Sequence, residues 1–232
     1  MAQPQGAPDL AAAPARPMAM ASNQGTPVAF SGTVGMLYPG NASAAVLMLG
    51  PVGYEELCLR STWRALAEAL SLAGIACLRF DYPGLGDALD VAEPTGLDDW
   101  TETVRAAADL LRQASGCSRL ILLGQGLGGT LALRLADCLA PVSGCVVMAP
   151  VVNGKRYLRE LSVWTRLVAD RIGIGMDPDD ETGCAVAGLR LRRPASPPSE
   201  SSACSTSTAD PATKPFCCRA PAMPAMRRWQ RI

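Results

Sequence analysis

The sequence predicts an α/β fold, a mostly parallel sheet with helices on both faces, and three observations carry that expectation. Between Pro27 and Asp170 short apolar runs alternate with amphipathic stretches, the pattern of parallel strands joined by crossover helices. The runs AAVLMLG (44–50), IACLRFD (75–81), RLILLG (119–124) and GCVVMAP (144–150) are largely apolar, as strands buried on both faces are. The glycine-rich turn GQGLGG (124–129) falls between one of these strands and an apolar helix.

The elements follow in order. Two weaker strands, Val28–Phe30 and Thr33–Tyr38, precede the run 44–50, which stops at the turn signal Gly50-Pro51. Ser61 or Thr62 offers a cap for a helix whose Trp63, Leu66, Leu70 and Ala73 recur at helical spacing, with Gly74 as its stop. Strand 75–81 comes next and ends in the turn-rich DYPGLGD. Trp100, Val104, Ala107, Leu111 and Ala114 then line one helix face up to Gly116. Asp98, Asp99 and Glu102 sit early on that helix and Arg105 and Arg112 late, as the macrodipole favours. TLALRLADCLA (130–140) is apolar nearly all round, which predicts a buried helix closed by Pro141. After strand 144–150, Tyr157, Leu161, Trp164 and Val168 share one face of a last helix.

These elements divide the 232 residues into a disordered, Ala- and Pro-rich lead-in (1–26), one folded core (27–176) and a low-complexity tail (177–232). The tail is locally basic, with Arg190, Arg192, Arg193, Lys214 and Arg219 among its charges, and clusters Pro, Ser and Cys without strand or helix periodicity. Such composition buries too little apolar surface to order itself. With no further strand to cover it, the run 144–150 is expected at an edge or uncovered, and the isolated chain is expected to be poorly soluble.

Lys plus Arg (21) balance Asp plus Glu (21), so no net field draws the chain to nucleic acid or anionic lipid. No apolar run approaches the roughly 20 residues of a membrane span, and the first thirty residues lack the basic start and unbroken apolar core of a secretory signal. The nine cysteines are scattered, and Cys77 and Cys145 lie in apolar runs where a thiol acts as a small core residue. With no Cys-x-x-Cys pair and no histidine, neither a metal site nor a cofactor is expected, and a reduced, cytoplasmic setting is.

The turn at 124–129 admits two readings. In a G-x-S-x-G turn a serine is lifted to a helix N-terminus, and its neighbours are small because the backbones crowd. Gly124, Gly128 and Gly129 supply those small positions, and Gly126 stands where the serine would be. Gly124, Gly126 and Gly129 also match G-x-G-x-x-G, the fingerprint that cradles a dinucleotide pyrophosphate at a helix N-terminus. That second reading calls for an acidic residue at the end of the next strand, which here ends Met148-Ala149-Pro150. It also belongs in a first βαβ unit, whereas two strong strands precede this one.

The segment GPVGYEELCLRSTWRALAEALSLAGIACLRFDYPGLGD, the helix with Trp100, the glycine turn and APVVNGKRYLREL together resemble the α/β-hydrolases associated with exosortase A systems. They also resemble related serine-peptidase-like hydrolases, and the likeness covers roughly residues 28–165. It implies the α/β-hydrolase fold, here without counterparts for the last strands, and hydrolysis of ester, thioester or amide bonds in a small acyl substrate. It places Gly126 at the nucleophile position of the elbow, with Gly124, Gly128 and Gly129 as its packing residues. It assigns the backbone N–H groups of Val52 and Leu127 to an oxyanion hole, to which Pro51 has no N–H to offer. The elbow conformation costs an ordinary residue about 1–3 kcal/mol, whereas glycine takes it almost freely. Gly126 therefore keeps the turn and removes the attacking oxygen. Some members of the exosortase-associated group that the chain resembles also carry a residue other than serine there.

Acyl transfer by such a triad needs an imidazole titrating near neutrality, and the chain contains no histidine. The resemblance places that residue after the last strand, for which the sequence has no counterpart. Asp81 and Asp87 read as turn anchors, and Asp170, Asp177, Asp179 and Asp180 as solvated charges. The abrupt loss of periodicity near Asp177 reads as a truncation or a shifted reading frame. The expectation is a hydrolase impaired or inactive for want of its serine and histidine. Two alternatives remain: a non-catalytic protein that binds an acyl ligand or a partner in exopolysaccharide export, and a dinucleotide-binding protein.

Overall fold

Side chains alternate between the two faces of a strand, so a strand that is apolar at every position can be buried only between two helical layers. A computed structural model, which describes residues 24–139, 141–173, 183–186 and 189–192, has this arrangement. β1 (Thr26–Phe30), β2 (Thr33–Tyr38), β3 (Ala44–Leu49), β4 (Cys77–Phe80), β5 (Arg119–Gln125) and β6 (Val142–Met148) form one sheet in the order β1-β2-β4-β3-β5-β6. β1 and β2 pair antiparallel, as do β2 and β4, while β4, β3, β5 and β6 run parallel.

Val46 and Met48 of β3 face α1 (Tyr54–Leu72), packing with Trp63, Ala67, Tyr38 and Cys77. Ala45, Leu47 and Leu49 point the other way, into a larger cluster with Trp100, Val104 and Leu111 of α2 (Leu97–Ser115) and Leu131 of α3 (Leu127–Leu135). Each fully buried leucine contributes about 1.5–3 kcal/mol, so this central strand anchors both layers.

Three helix boundaries differ from the sequence expectation or refine it. α1 starts at Tyr54, seven residues before Ser61, with Gly53 as its N-cap at φ 73° and ψ −140°. Its fully buried residues begin only at Trp63, and before Leu59 the first turn packs nothing on the core cluster that would reveal it. α2 opens with the Gly96 N–H donating to the Asp99 carboxylate at 2.8 Å and closes at Gly116, whose φ is 69°. α3 spans Leu127–Leu135 instead of 130–140, because the elbow glycines form its first turn.

β6 is the outer strand of this sheet, and Val146 and Met148 on it are 52% and 39% exposed. Cys145 is exposed as well, contrary to the core role expected from its apolar run, because an outer strand has a neighbour on one side only. Cys77, on the interior strand β4, is buried. α4 (Gly154–Ile172) carries the predicted apolar face, but Leu161 is its one buried residue among those described.

Part of the segment read as tail is paired. β7 (Gly183–Val186) and β8 (Leu189–Arg192) pair antiparallel, and Leu191 packs against the main core cluster. The Thr95 N–H donates to the Arg190 carbonyl at 2.9 Å, and the Arg192 N–H to the Thr95 carbonyl at 2.7 Å. GCAV does not alternate and LRLR alternates over four residues only, too little to read as a paired strand, and the Thr95 partner lies almost a hundred positions upstream. The lead-in and the remaining tail lie outside the described residues. Among the described residues no helix is long and apolar enough to cross a membrane.

Candidate active site

β3 and β5 are parallel neighbours in the sheet, so the loop after β3 and the turn after β5 emerge side by side at one sheet edge. Gly126, between β5 and α3, has φ 55° and ψ −124°, a conformation that L side chains rarely adopt. Its N–H donates to the Met148 carbonyl at 3.0 Å, and its carbonyl accepts from the N–H groups of Thr130 (3.2 Å) and Val151 (3.3 Å). The Thr130 hydroxyl ties the same turn to the Val151 carbonyl at 2.9 Å. The turn is thus fixed to β6 and to the loop beyond it.

The glycines around it are not equivalent. A Cβ on Gly124 would lie 2.5 Å from the Gly128 carbonyl oxygen, and one on Gly128 would collide with the carbonyls of Leu49 and Gly50. A Cβ on Gly129 would meet its nearest neighbour, the Gly124 carbonyl, at 3.3 Å, which a small adjustment relieves. The crowding at Gly128 shows that the Gly50–Gly53 loop lies directly against the start of α3. Val52 in that loop is buried, and neither its N–H nor that of Leu127 has an acceptor among the described residues.

A carboxylate that no sequence motif marks stands against Gly126. Glu55, in the first turn of α1, brings Oε2 to within 2.5 Å of where a Cβ on Gly126 would stand. Gln125 Nε2 donates to Glu55 Oε1 at 3.1 Å. The carboxylate therefore lies at the N-terminal ends of two helices, its own and α3, where the macrodipoles favour negative charge. Tyr157 of α4 closes the group from another side, donating its hydroxyl to the Val52 carbonyl at 3.3 Å. Burial pushes its phenol up to about 12, and the Glu55 charge adds to the effect. Glu55 was hidden in the sequence because α1 was expected to start after it. Gln125 was hidden because it is the unspecified residue of the glycine motif.

The predicted aspartates lie elsewhere. Asp81 accepts the Asp87 N–H at 2.9 Å and so closes the turn after β4, and burial raises its carboxyl above the ordinary range. Asp170 is exposed, while Asp177, Asp179 and Asp180 lie outside the described residues. A cleft of about 340 Å³ opens between α1 and the turn after β4, bordered by Pro51, Arg60, Arg79, Asp81 and Asp87. It touches the far side of the Gly50–Gly53 loop, but neither Glu55 nor Gly126 lines it.

Among solved structures, an esterase of Pyrococcus furiosus is similar at 19% identity and a TM-score of 0.50, over 65% of this chain and 61% of that one. An alpha/beta hydrolase of Penicillium sp. sh18 is similar at 19% identity and a TM-score of 0.46, over 68% of this chain and 57% of that one. The chain thus spans less than two thirds of the length of either. No curated protein matches it. The model of the alpha/beta hydrolase family matches residues 43–231, from the start of β3 through the elbow and beyond β8. The strand order, the elbow at Gly126 and this match together establish that the chain belongs to the alpha/beta hydrolase family.

Proposed function

We propose that the chain is an acyl-binding member of an ester, thioester or amide hydrolase lineage that does not form a serine acyl-enzyme. The observation that carries this reading is Gly126: it holds the elbow conformation and the neighbouring loop contact while offering no hydroxyl. The absence of any histidine from the 232 residues removes the usual proton carrier as well. What remains is a pair of backbone donors, Val52 and Leu127, without an acceptor among the described residues and suited to a carbonyl oxygen. As a serine hydrolase the chain is impaired.

The ligand in this reading is a small acyl compound, with no metal or cofactor. The segments DYPGLGD and APVVNGKRYLREL support placing the chain with the exosortase A-associated group, and scattered cysteines support a reducing cytoplasm. The dinucleotide alternative is disfavoured by Glu55, whose carboxylate would repel a pyrophosphate at the start of α3.

The test pairs a fluorophosphonate probe with melting shifts induced by ketone isosteres of acyl thioesters. The expected result is no covalent adduct by intact mass and a rise in Tm with the isostere. A serine adduct, or no shift with any acyl length, would overturn the proposal. Calorimetric titration with NAD and FAD is expected to show no heat of binding.

A further inference from the structure

Among the described residues Glu55 has no partner of opposite charge; around it stand the Gln125 amide, the Gly126 backbone and the Tyr157 phenol. A carboxylate held solely for stability gains more from a cationic partner, as neighbouring Glu56 does from Arg60 at 2.8 Å. Glu55 instead projects into the volume that a side chain on Gly126 would fill, directly before Leu127 at the start of α3.

We propose that Glu55 is the general base of this site and activates water directly against a bound acyl group, replacing both the absent serine and the absent histidine. The inference rests on the acyl-binding reading above. In the first step one Glu55 oxygen takes a proton from water as the water oxygen bonds to the acyl carbon, and the carbonyl π electrons move onto the oxygen facing Val52 and Leu127. In the second step that electron pair returns, the bond from carbon to the leaving sulfur or oxygen breaks, and the leaving group takes the proton back from Glu55. One water is consumed, a carboxylic acid and a thiol or alcohol are released, and Glu55 ends as it began. No oxidant or further reactant is involved.

The chemistry also selects the substrate class. A carboxylate is a weaker base than imidazole, so it works on carbonyls that are already electrophilic and on leaving groups that depart easily. Thioesters and aryl esters satisfy both conditions, whereas amides satisfy neither. Gln125 is a positioning residue here: its amide holds one carboxylate oxygen and aims the other at the space above Gly126.

Three chains decide the matter: the full-length protein, E55Q and G126S, assayed with a short-chain acyl thioester. The wild type should exceed the buffer rate, and E55Q should lower kcat by about 10²-fold or more while KM stays within a few-fold. G126S should also lose activity, because its side chain would collide with the carboxylate, and it should show no acyl-enzyme burst. A second measurement covers the case in which E55Q folds poorly. The wild-type rate should fall on the acid side of its pH profile, a limb that no histidine in the chain can produce. The Tyr157 phenol, which faces Glu55 from α4, stays neutral over that range, and Gln125, which faces it from β5, does not titrate. Glu56, next to it on α1, is paired with Arg60.

Wild-type activity in E55Q overturns the proposal, as does a flat acid limb or a glutamyl adduct trapped by hydroxylamine. A wild type without turnover also overturns it, and a retained isostere-induced Tm shift in that case shows that the acyl site itself stands.

Discussion

Tyr157 and Val52, 105 residues apart, are joined by a hydrogen bond of 3.3 Å from the phenol to the backbone carbonyl. The bond ties α4 to the loop after β3 at the point where that loop meets the elbow. Y157F removes it while keeping the ring, and should cost about 1 kcal/mol, a fall in Tm of roughly 2–4 °C for a chain of this size. Thermal melts of the two proteins check this. The phenol itself adds a pH dependence. Its folded value, about 12, lies above the unfolded value of about 10. The associated stability is therefore complete below the unfolded value and lost as pH rises through the folded one. Burial also raises the Tyr82 phenol, so absorbance titration at alkaline pH should show two tyrosines ionising late, and Y157F should remove one of them.

Asp81 gives a pH dependence at the acid end. Burial raises its carboxyl, opposed by the Asp87 N–H and by Arg60. A raised folded value means that this contribution to stability is complete below the ordinary aspartate value and lost as pH rises through the folded one. D81N keeps an acceptor oxygen for Asp87 and removes the buried charge. Its Tm relative to wild type should therefore be higher at pH 7 than at pH 4. An equal difference at both values would rule out this account.

The elbow glycines should separate by cost. Gly128→Ala drives a methyl into the Leu49 and Gly50 carbonyls, and Gly124→Ala one into the Gly128 carbonyl. Because the obstruction is backbone, each should cost about 1–3 kcal/mol or more in urea unfolding. Gly129→Ala meets its nearest atom at 3.3 Å inside a helix, where alanine is favoured over glycine by about 1 kcal/mol, and should be close to neutral.

Cysteine reactivity offers a simple check of the layers. Cys77 is buried between β4 and α1, its thiol donates to the Ala67 carbonyl at 3.5 Å, and burial pushes it up to about 12. Alkylation proceeds through the thiolate, so iodoacetamide at neutral pH should leave Cys77 unmodified and label the exposed Cys58. Peptide mass spectrometry reads both sites in one digest.

The α/β class and the central strands were legible because local composition dictates them. Apolar runs at 44–49 and 119–124 leave no polar face to turn to water, and the glycines at 124–129 permit only a tight strand-to-helix turn. Helix ends were legible where a glycine takes a positive φ, at Gly74 and Gly116, and illegible at Tyr54, where the first turns hold no fully buried residue. The pairing of 183–186 with 189–192 was illegible for a related reason, since its footing is the Thr95 backbone and the Asp99 carboxylate of α2, neither of them local.

By itself, then, the sequence determined the fold class, the glycine turn, and the lack of a hydroxyl at position 126 and of any histidine in the 232 residues. Those are statements about which atoms the chain possesses. The tertiary structure decided what stands in the vacated space. Glu55 lies 71 positions before Gly126 and reaches it only because β3 and β5 are parallel neighbours whose ends bring α1 and α3 together. No periodicity encodes that meeting, because it depends on strand order and on the path of the Gly50–Gly53 loop.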